Sequence, residues 1–414
     1  MKNNTIKKFV ILGLIMAALP AVSACGSTNN GPTVTLPPLE QEGPGSSSSA
    51  VGNGSPSNME LYNETLDNGL HIVIQDNGEM ILSGADVTES LKDYSILKDL
   101  IPNVTHIRFD EGVTRVAEKT FSGFDKVQRL SFGSTAKEIG NNAFSGCVAL
   151  TEISFGDTVS EIADYAFSGC TALKDVILGS GVTSVGQYAF ADCTALKSAT
   201  FMDSIESMGF NIFNGCTALV SIRTGSSIAD SAFCDIATLE SVVIQSGCKT
   251  IGDRAFTGCT KLKNVELEEG VETIGEFSFK GCTALTNVVI PASVSRIDTE
   301  AFSGCTGLTG LEVVEGGNLV FGYGCFMGCT GLKQISLAEG VVELGEKAFS
   351  GCTALETLVL PKTLNKIGYS ALYNTSAMRT LAYRGSASEW YKIEFARDWS
   401  MGAAKSTPKF NYSE

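Results

Sequence analysis

The chain has 414 residues, of which 43% are hydrophobic and 18% are charged. This apolar fraction is enough to build a packed core, so it excludes a chain that is disordered throughout. The formal net charge is −15, and so acidic a surface repels phosphate backbones; we therefore expect no nucleic-acid partner.

Residues 1–24 are predicted to be an export signal. Lys2, Lys7 and Lys8 precede an apolar run from Phe9 to Ala18. That run is too short for a permanent membrane-spanning helix and is typical of a cleavable signal. Without these residues the chain has 27 basic and 45 acidic side chains, a formal charge of −18.

The signal ends in Val22-Ser23-Ala24-Cys25, which resembles the lipobox of bacterial lipoproteins. In that family the cysteine receives a lipid and becomes the first residue after cleavage. The resemblance therefore implies lipidation at Cys25 and an extracytoplasmic chain held at the membrane by lipid. Stable anchoring takes at least two acyl chains, which that family carries. An ordinary secretory signal cut after Ala24 is the alternative.

Two further segments precede the regular part of the chain. Residues 25–58 are mostly Gly, Ser, Asn, Thr and Pro, which predicts a flexible tether with a reach of roughly 30 Å. Residues 59–103 are expected to form an N-terminal cap. Within it, the stretch from Leu70 to Leu82 is predicted to be a β-hairpin, because Asp76-Asn77-Gly78 is a strong turn signal.

The main signal of the sequence is an internal repeat marked by phenylalanine. The repeat phenylalanines, with Leu372 in the twelfth place, are Phe121, Phe144, Phe167, Phe190, Phe213, Phe233, Phe256, Phe279, Phe302, Phe326 and Phe349. The step is 23 residues except for one of 20, from Phe213 to Phe233, and one of 24, from Phe302 to Phe326. A fixed period of this length predicts a solenoid, in which stacked coils bury apolar side chains that a single coil cannot.

Each repeat begins with a short strand. In the unit that starts at Leu150, Ile153 and Phe155 alternate with Ser154, the pattern of a strand with one buried face. The unit ends in Ala-Phe-x-Gly-Cys, in which the glycine suits a tight corner.

The pattern Ile-Gly-x-x-Ala-Phe-x-Gly-Cys-x-x-Leu resembles the BspA-like class of leucine-rich repeats. Ile274 through Leu285 departs from it once, with Ser278 in place of Ala. The resemblance covers about 104–382. It implies a right-handed leucine-rich-repeat stack of about 12 short-strand coils, rich in β-structure with little helix. We expect the solenoid over 104–378 and a C-terminal cap over 379–414, which resembles the closing segment common in this class.

Nine cysteines follow the repeat phenylalanines by three positions: Cys147, Cys170, Cys193, Cys216, Cys259, Cys282, Cys305, Cys329 and Cys352. They are predicted to form a file, with at most one in each coil, and a file does not converge as metal ligands must. Their expected role is that of small buried apolar side chains. Disulfides between coils are the alternative, because export usually means oxidation. Cys234, Cys248 and Cys325 lie off the file, and Cys325 with Cys329 is the pair closest in sequence.

Candidate catalytic residues are few. The chain has two histidines, His71 and His106, both predicted to be structural or surface residues. Acid pairs such as Glu268-Glu269 fall at coil turns, where solvated carboxylates are usual. No glycine-rich phosphate loop is present. We therefore predict no catalytic residues, no metal site and no cofactor, and an enzyme is the remote alternative.

Each predicted strand sends one central side chain to the outer face of its sheet. This strand column comprises Ser131, Ser154, Ile177, Thr200, Arg223, Val243, Glu266, Val289, Glu312, Ser336, Val359 and Ala382. Its members vary while the buried positions repeat. The variation fits either an unconstrained surface or a binding face, and the candidate ligand-binding residues are the seven from Ile177 to Glu312. The 20-residue step is expected to bend or notch the stack near Arg223.

The BspA-like class is associated with adhesion to host matrix proteins and to other bacteria. The resemblance therefore implies a lipid-anchored surface protein that binds a protein or glycoprotein, although fold alone does not determine function. A structural or scaffolding protein of the envelope, with no host ligand, is the alternative.

Overall fold

The structure, a computed structural model, describes residues 58–403 and 408–413, which lie in one compact unit. The predicted signal, Cys25 and the predicted tether up to residue 57 lie outside the described residues. The described part is a β-solenoid of about 13 turns with almost no helix. This confirms the predicted repeat stack, for which the sequence indicated about 12 coils.

The described residues form 28 strands, most of them two to four residues long. In chain order they are β1 Glu60–Thr65, β2 His71–Gln75, β3 Glu79–Ser83, β4 His106–Phe109, β5 Arg115–Val116, β6 Arg129–Phe132, β7 Glu138–Ile139, β8 Glu152–Ser154, β9 Glu161–Ile162, β10 Asp175–Ile177, β11 Ser184–Val185, β12 Ser198–Phe201, β13 Ser207–Met208, β14 Ser221–Thr224, β15 Ser241–Ile244, β16 Thr250–Ile251, β17 Asn264–Leu267, β18 Thr273–Ile274, β19 Asn287–Ile290, β20 Arg296–Ile297, β21 Gly310–Val313, β22 Leu319–Phe321, β23 Gln334–Ser336, β24 Val341–Leu344, β25 Thr357–Leu360, β26 Lys366–Ile367, β27 Thr380–Tyr383 and β28 Glu394–Phe395. The helical turns are Leu91–Asp93, Ser95–Leu97, Ile101–Asn103 and the α-helix α1, Ala387–Trp390.

The strands form two walls of the solenoid. The long-strand wall has three sheets, ordered β1-β2-β3-β4-β6-β8, β10-β12-β14-β15-β17-β19-β21 and β23-β25-β27. The short-strand wall has two, β5-β7-β9-β11-β13 and β16-β18-β20-β22-β24-β26-β28. All pairings from β3 onward are parallel, as expected when each coil contributes one strand to each wall.

The two ends of the described chain join this stacking. The hairpin β2–β3 pairs Ile74 with Met80, which confirms the predicted turn. Strand β3 is already parallel to β4, so parallel pairing begins within residues 59–103. At the other end β28 pairs with β26. The boundaries of the two caps stay predictions.

The repeat phenylalanines form a continuous ladder inside the stack. From Phe121 to Phe349 each ring packs on the ring of the next coil, with centroids 5.0–6.0 Å apart. Every ring is buried. Burying one such side chain is worth about 1.5–3 kcal/mol, so the ladder contributes to the core in every coil from Phe121 to Phe349.

Two residues before each ladder position the backbone turns left-handed. The non-glycine residues there have φ of 50–59° and are Lys119, Asn142, Tyr165, Tyr188, Asn211, Ser231, Arg254, Phe277, Glu300, Lys347 and Ser370. Hydrogen bonds between coils hold the conformation; for example, the amide of Tyr165 donates to the carbonyl of Gln187 at 3.1 Å. The side chains of this position therefore lie along one edge of the solenoid.

Candidate functional site

The histidines and the acid pair take structural positions. The His106 ring nitrogen Nε2 lies 3.0 Å from the Ser131 hydroxyl of the next coil, and burial lowers the pKa of His106. Nδ1 of His71 lies 3.0 Å from the Thr65 hydroxyl. The Glu269 carboxylate accepts from the amides of Ala292 and Ser293, both at 3.1 Å. This carboxylate is exposed, as expected at a coil turn, and it is also bonded to the next coil.

The nine cysteines of the file are free and buried, as predicted for small core residues. Each thiol also donates to the carbonyl of the ladder phenylalanine in the preceding coil. Cys147 and Phe121 are 3.3 Å apart, and Cys352 and Phe326 are 3.2 Å apart. Burial raises the pKa of Cys147 and Cys352 to about 12. Neutral thiols that satisfy carbonyls are therefore part of the core, a role the sequence analysis did not anticipate.

The off-file cysteines replace other residues of the repeat. Cys325 takes the place of the alanine before the ladder phenylalanine and is buried, and both Cys325 and Cys329 are free. Cys234 is half-buried, and its thiol contacts the Asp235 carboxylate at 3.3 Å. No group of three or more His, Cys, Asp or Glu that could hold a metal occurs among the described residues.

The seven candidate ligand-binding residues lie in one column on the sheet from β10 to β21. Adjacent strands pair Ile177 with Thr200, Thr200 with Arg223, Arg223 with Val243, and Val243 with Glu266. Further along, Val289 pairs with Glu312. Ile177, Glu266 and Glu312 are exposed, whereas Thr200, Arg223, Val243 and Val289 are half-buried.

The end of the strand column differs from the prediction. Val359 and Ala382 were expected to face solvent, and both are buried. The C-terminal segment returns to this wall: Ala382 bridges Lys409, and the Arg384 guanidinium donates to the Ser336 hydroxyl at 2.8 Å. The expected exposure is wrong here because residues outside the repeat cover the sheet.

The 20-residue coil interrupts the short-strand wall and leaves the long-strand wall intact. Strand β14, which carries Arg223, pairs in full with β12 and β15. The missing residues lie between Thr224 and Ile228, since these two pair with Ile244 and Ile251 of the next coil. The coil has only the isolated bridge at Ile228 in place of a short strand. The expected notch is therefore present on a different wall from Arg223.

A small cavity accompanies this interruption on the ladder side of the coils. It has a volume of about 130 Å³ and lies between the turns 213–217 and 234–238. Cys216 and Cys234 both contribute to its lining.

An aromatic ridge, which the sequence analysis did not identify, lies on the left-handed edge. It consists of Tyr165, Tyr188 and Phe210. The two tyrosine rings stack at 5.0 Å, and Phe210 packs edge-on against Tyr188 at 5.4 Å. Tyr165 is 36% exposed and Phe210 46% exposed. The signal was visible in the sequence as two tyrosines 23 residues apart, each two positions before a ladder phenylalanine.

A groove runs beside the aromatic ridge, along the ends of β9, β11 and β13. Its volume is about 430 Å³. The polar and aromatic side chains that line it are Asn141, Glu161, Asp164, Ser184, Gln187, Ser207 and Phe210. The Asp164 carboxylate accepts from the amide and the side-chain amide of Gln187, both at 2.9 Å. We call this feature the ridge groove.

Residues 96–220, 226–320 and 320–410 match the BspA type Leucine rich repeat region in six copies. The chain belongs to this family. Among curated proteins no relative matches the sequence.

Solved structures that this chain is similar to come from several bacteria. A leucine-rich repeat protein from Bacteroides ovatus is 23% identical with a TM-score of 0.53, covering 84% of this chain and 91% of that one. A leucine rich cell surface protein from Faecalibacterium prausnitzii is 23% identical, with a TM-score of 0.34 and coverage of 82% and 99%. The first similarity supports the fold of this BspA-type chain. No helix among its described residues is long and apolar enough to cross a membrane.

Proposed function

We propose that this BspA-type chain is a cell-surface binding protein, anchored by lipid at Cys25. In this proposal the column from Ile177 to Glu312 contacts a protein or glycoprotein, such as a host matrix protein or the surface of another bacterium. Leucine-rich-repeat proteins generally bind protein ligands, and extended solenoid sheets offer large surfaces for them.

The observation that carries the proposal is the composition of the unbroken sheet from β10 to β21. Its outer face has the exposed apolar side chain of Ile177, at 52%, together with Arg223, Glu266 and Glu312, and Val220, which immediately precedes β14, is 40% exposed. Such a mixture of apolar and charged groups is typical of the surfaces that proteins use to bind one another. The core positions of the same strands repeat, whereas these outer positions do not.

The test is adhesion of cells that carry the full chain to wells coated with matrix proteins, mucins, glycans or bacterial surface fractions. We expect saturable adhesion to one coating. Replacing Arg223, Glu266 and Glu312 together by threonine, the residue already present at position 200, should weaken it by about tenfold or more, since central interface residues each contribute over ~1 kcal/mol. The chain with Cys25→Ser should be released into the medium.

The matched control replaces Lys249, Glu272 and Glu276 by threonine. This removes one positive and two negative charges from the short-strand wall and its turn, and it should leave adhesion unchanged. Equal losses in both triple variants would contradict a binding column. No adhesion to any coating by a folded, surface-bound chain would favour a scaffolding role in the envelope.

A further inference from the structure

The aromatic ridge differs from Phe277 and Tyr323 of the same edge because its rings have no cation from the described part of the chain. Elsewhere along this edge, Arg254 and Lys280 lie over the Phe277 ring at 5.0 and 4.8 Å, and Lys347 lies over Tyr323 at 5.0 Å. No lysine or arginine of residues 58–403 or 408–413 lies over Tyr165, Tyr188 or Phe210. The ridge therefore lacks the partner that other coils supply for themselves.

Carboxylates beside the ridge groove are also left without a partner. Glu161 lines the groove and Glu206 immediately precedes β13; both are exposed. Neither forms an ion pair or hydrogen bond within the described part of the chain, whereas Glu138, one coil earlier, pairs with Arg115 at 3.3 Å. The described lining of the groove contains no basic side chain. The local charge is therefore negative and uncompensated.

The groove is open where the short coil follows it. Strand β13 is the last short strand before the interruption, since the next coil contributes only the bridge at Ile228. The residues of that coil equivalent to Phe210 and Asn211 are Asp230 and Ser231, whose small side chains leave Phe210 uncovered. A ligand that runs along the groove can thus leave it past Phe210.

We propose that the aromatic ridge and the ridge groove bind an extended peptide segment that carries lysine or arginine. The apolar parts of the segment would pack on the ring edges of the ridge, and its cations would pair with Glu161 and Glu206. These carboxylates lie two coils apart, about 10 Å at the spacing of parallel strands, which is close to one three-residue turn of a peptide in the extended polyproline II conformation, where residues three apart lie on the same side. The segment therefore needs basic residues about three positions apart.

The stacking within the ridge favours a peptide over a neutral glycan. Sugars pack on the faces of aromatic rings, and Tyr165 and Tyr188 already use a face on each other. Tyr165 and Phe210 expose apolar ring surface, which suits the apolar side chains of a peptide. This surface lies on another wall from the strand column, so the proposal does not depend on the function proposed above.

The test is binding of the purified protein to a fluorescein-labelled nine-residue peptide of repeating Lys-Ser-Leu, followed by fluorescence anisotropy at low and at physiological salt. We expect saturable binding that weakens as salt rises. The double variant Glu161→Gln, Glu206→Gln should raise the Kd by about three- to tenfold, because each exposed ion pair contributes little.

A second variant removes the rings without disturbing the backbone. Tyr165→Asn and Tyr188→Asn place at these left-handed positions the residue that Asn142 and Asn211 already provide, and Phe210→Gln copies Gln187. This triple variant should raise the Kd about tenfold, with an unchanged circular dichroism spectrum.

The matched control for charge is Glu111→Gln with Glu315→Gln, which removes two exposed carboxylates that belong neither to the ridge groove nor to the strand column. It should leave peptide binding intact. Equal weakening in the two glutamine variants would mean that the peptide senses only the net negative charge and would overturn the proposal. The proposal would also be overturned if a peptide with glutamine in place of lysine bound with the same Kd. It would be overturned too if a neutral oligosaccharide bound in a ring-dependent manner and the peptide did not bind.

Discussion

At the scale of single residues, the left-handed position decides where functional side chains can lie. A non-glycine residue pays roughly 1–2 kcal/mol for this conformation, and eleven such residues adopt it along the edge. The hydrogen bonds between successive coils compensate for the strain, so the position accepts Tyr, Arg or Phe as well as Asn. Variation at this position therefore changes the edge of the molecule and leaves the stack intact.

Ser278 illustrates the opposite constraint, at a position where the repeat normally places alanine. Its side chain is completely buried, and its hydroxyl has no hydrogen-bond partner among the described residues. Leaving such a group unsatisfied costs about 1–3 kcal/mol. We predict that Ser278→Ala raises the free energy of unfolding by about 1 kcal/mol, measured from the urea midpoint.

Ser122 provides the control for that substitution. Its hydroxyl donates to the carbonyl of Ser145 in the next coil at 3.1 Å, so Ser122→Ala should lower stability by about 0.5–1.5 kcal/mol. A loss of stability in Ser278→Ala would show that the Ser278 hydroxyl has a partner in solution.

At the scale of strands and turns, the sequence predicts the features that recur once in each coil. Because one repeat sets the register of all coils, the positions of the ladder phenylalanines, the cysteine file and the strand column from Ile177 to Glu312 could be read directly. The interruptions of the sheets and of the strand column could not be predicted from the repeat. The sheet break between β8 and β10 has no marker in the spacing, and the burial of Val359 and Ala382 depends on chain that returns from outside the repeat.

The candidate site also has features that the spacing predicts and features that only the structure shows. The spacing located the 20-residue coil but not the wall that it interrupts, because that depends on which turn lost residues. Tyr165 and Tyr188 have the repeat spacing, yet only the structure shows that they stack and stay exposed beside unpaired carboxylates.

The cysteine file predicts how stability depends on pH. Burial is the main cause that raises the folded-state pKa of six of its thiols, those of Cys147, Cys259, Cys282, Cys305, Cys329 and Cys352. Unfolded thiols ionise with a pKa near ~8.5, so at higher pH the unfolded chain has lost protons that the folded chain keeps. The contribution of these buried thiols to the free energy of unfolding is fully present below about pH 8. It should fall as pH rises towards 12, by about 1.4 kcal/mol per pH unit for each such thiol.

Urea midpoints between pH 7 and 10.5 measure this slope. The double variant Cys282→Ala, Cys305→Ala should be less stable at pH 7, because each thiol fills space and donates to a carbonyl. Its stability should nevertheless fall less steeply with pH. A slope equal to that of the unaltered chain would mean that these thiols titrate alike in both states.

At the scale of the whole solenoid, stability is close to a sum of coils and of interfaces between neighbours. The phenylalanine ladder is loosest around the 20-residue coil. Ring centroids are 5.9 Å apart from Phe190 to Phe213 and 6.0 Å from Phe213 to Phe233, against 5.0 Å from Phe279 to Phe302. The short-strand wall is broken there, and a cavity of about 130 Å³ remains.

A chain of coils separates most easily at its weakest interface, so we predict two cooperative units that meet at the 20-residue coil. Hydrogen exchange followed by mass spectrometry in mild urea should give one protection level for coils up to β13 and another from β16 onward. Inserting three residues between Ser226 and Ser227 restores the 23-residue step, supplies the missing short strand and should merge the two levels. The same insertion at residue 50, within the predicted tether, is the control and should leave them separate. One uniform protection level across the unaltered solenoid would show that the long-strand sheet from β10 to β21, which continues across the 20-residue coil, is enough to couple the two halves.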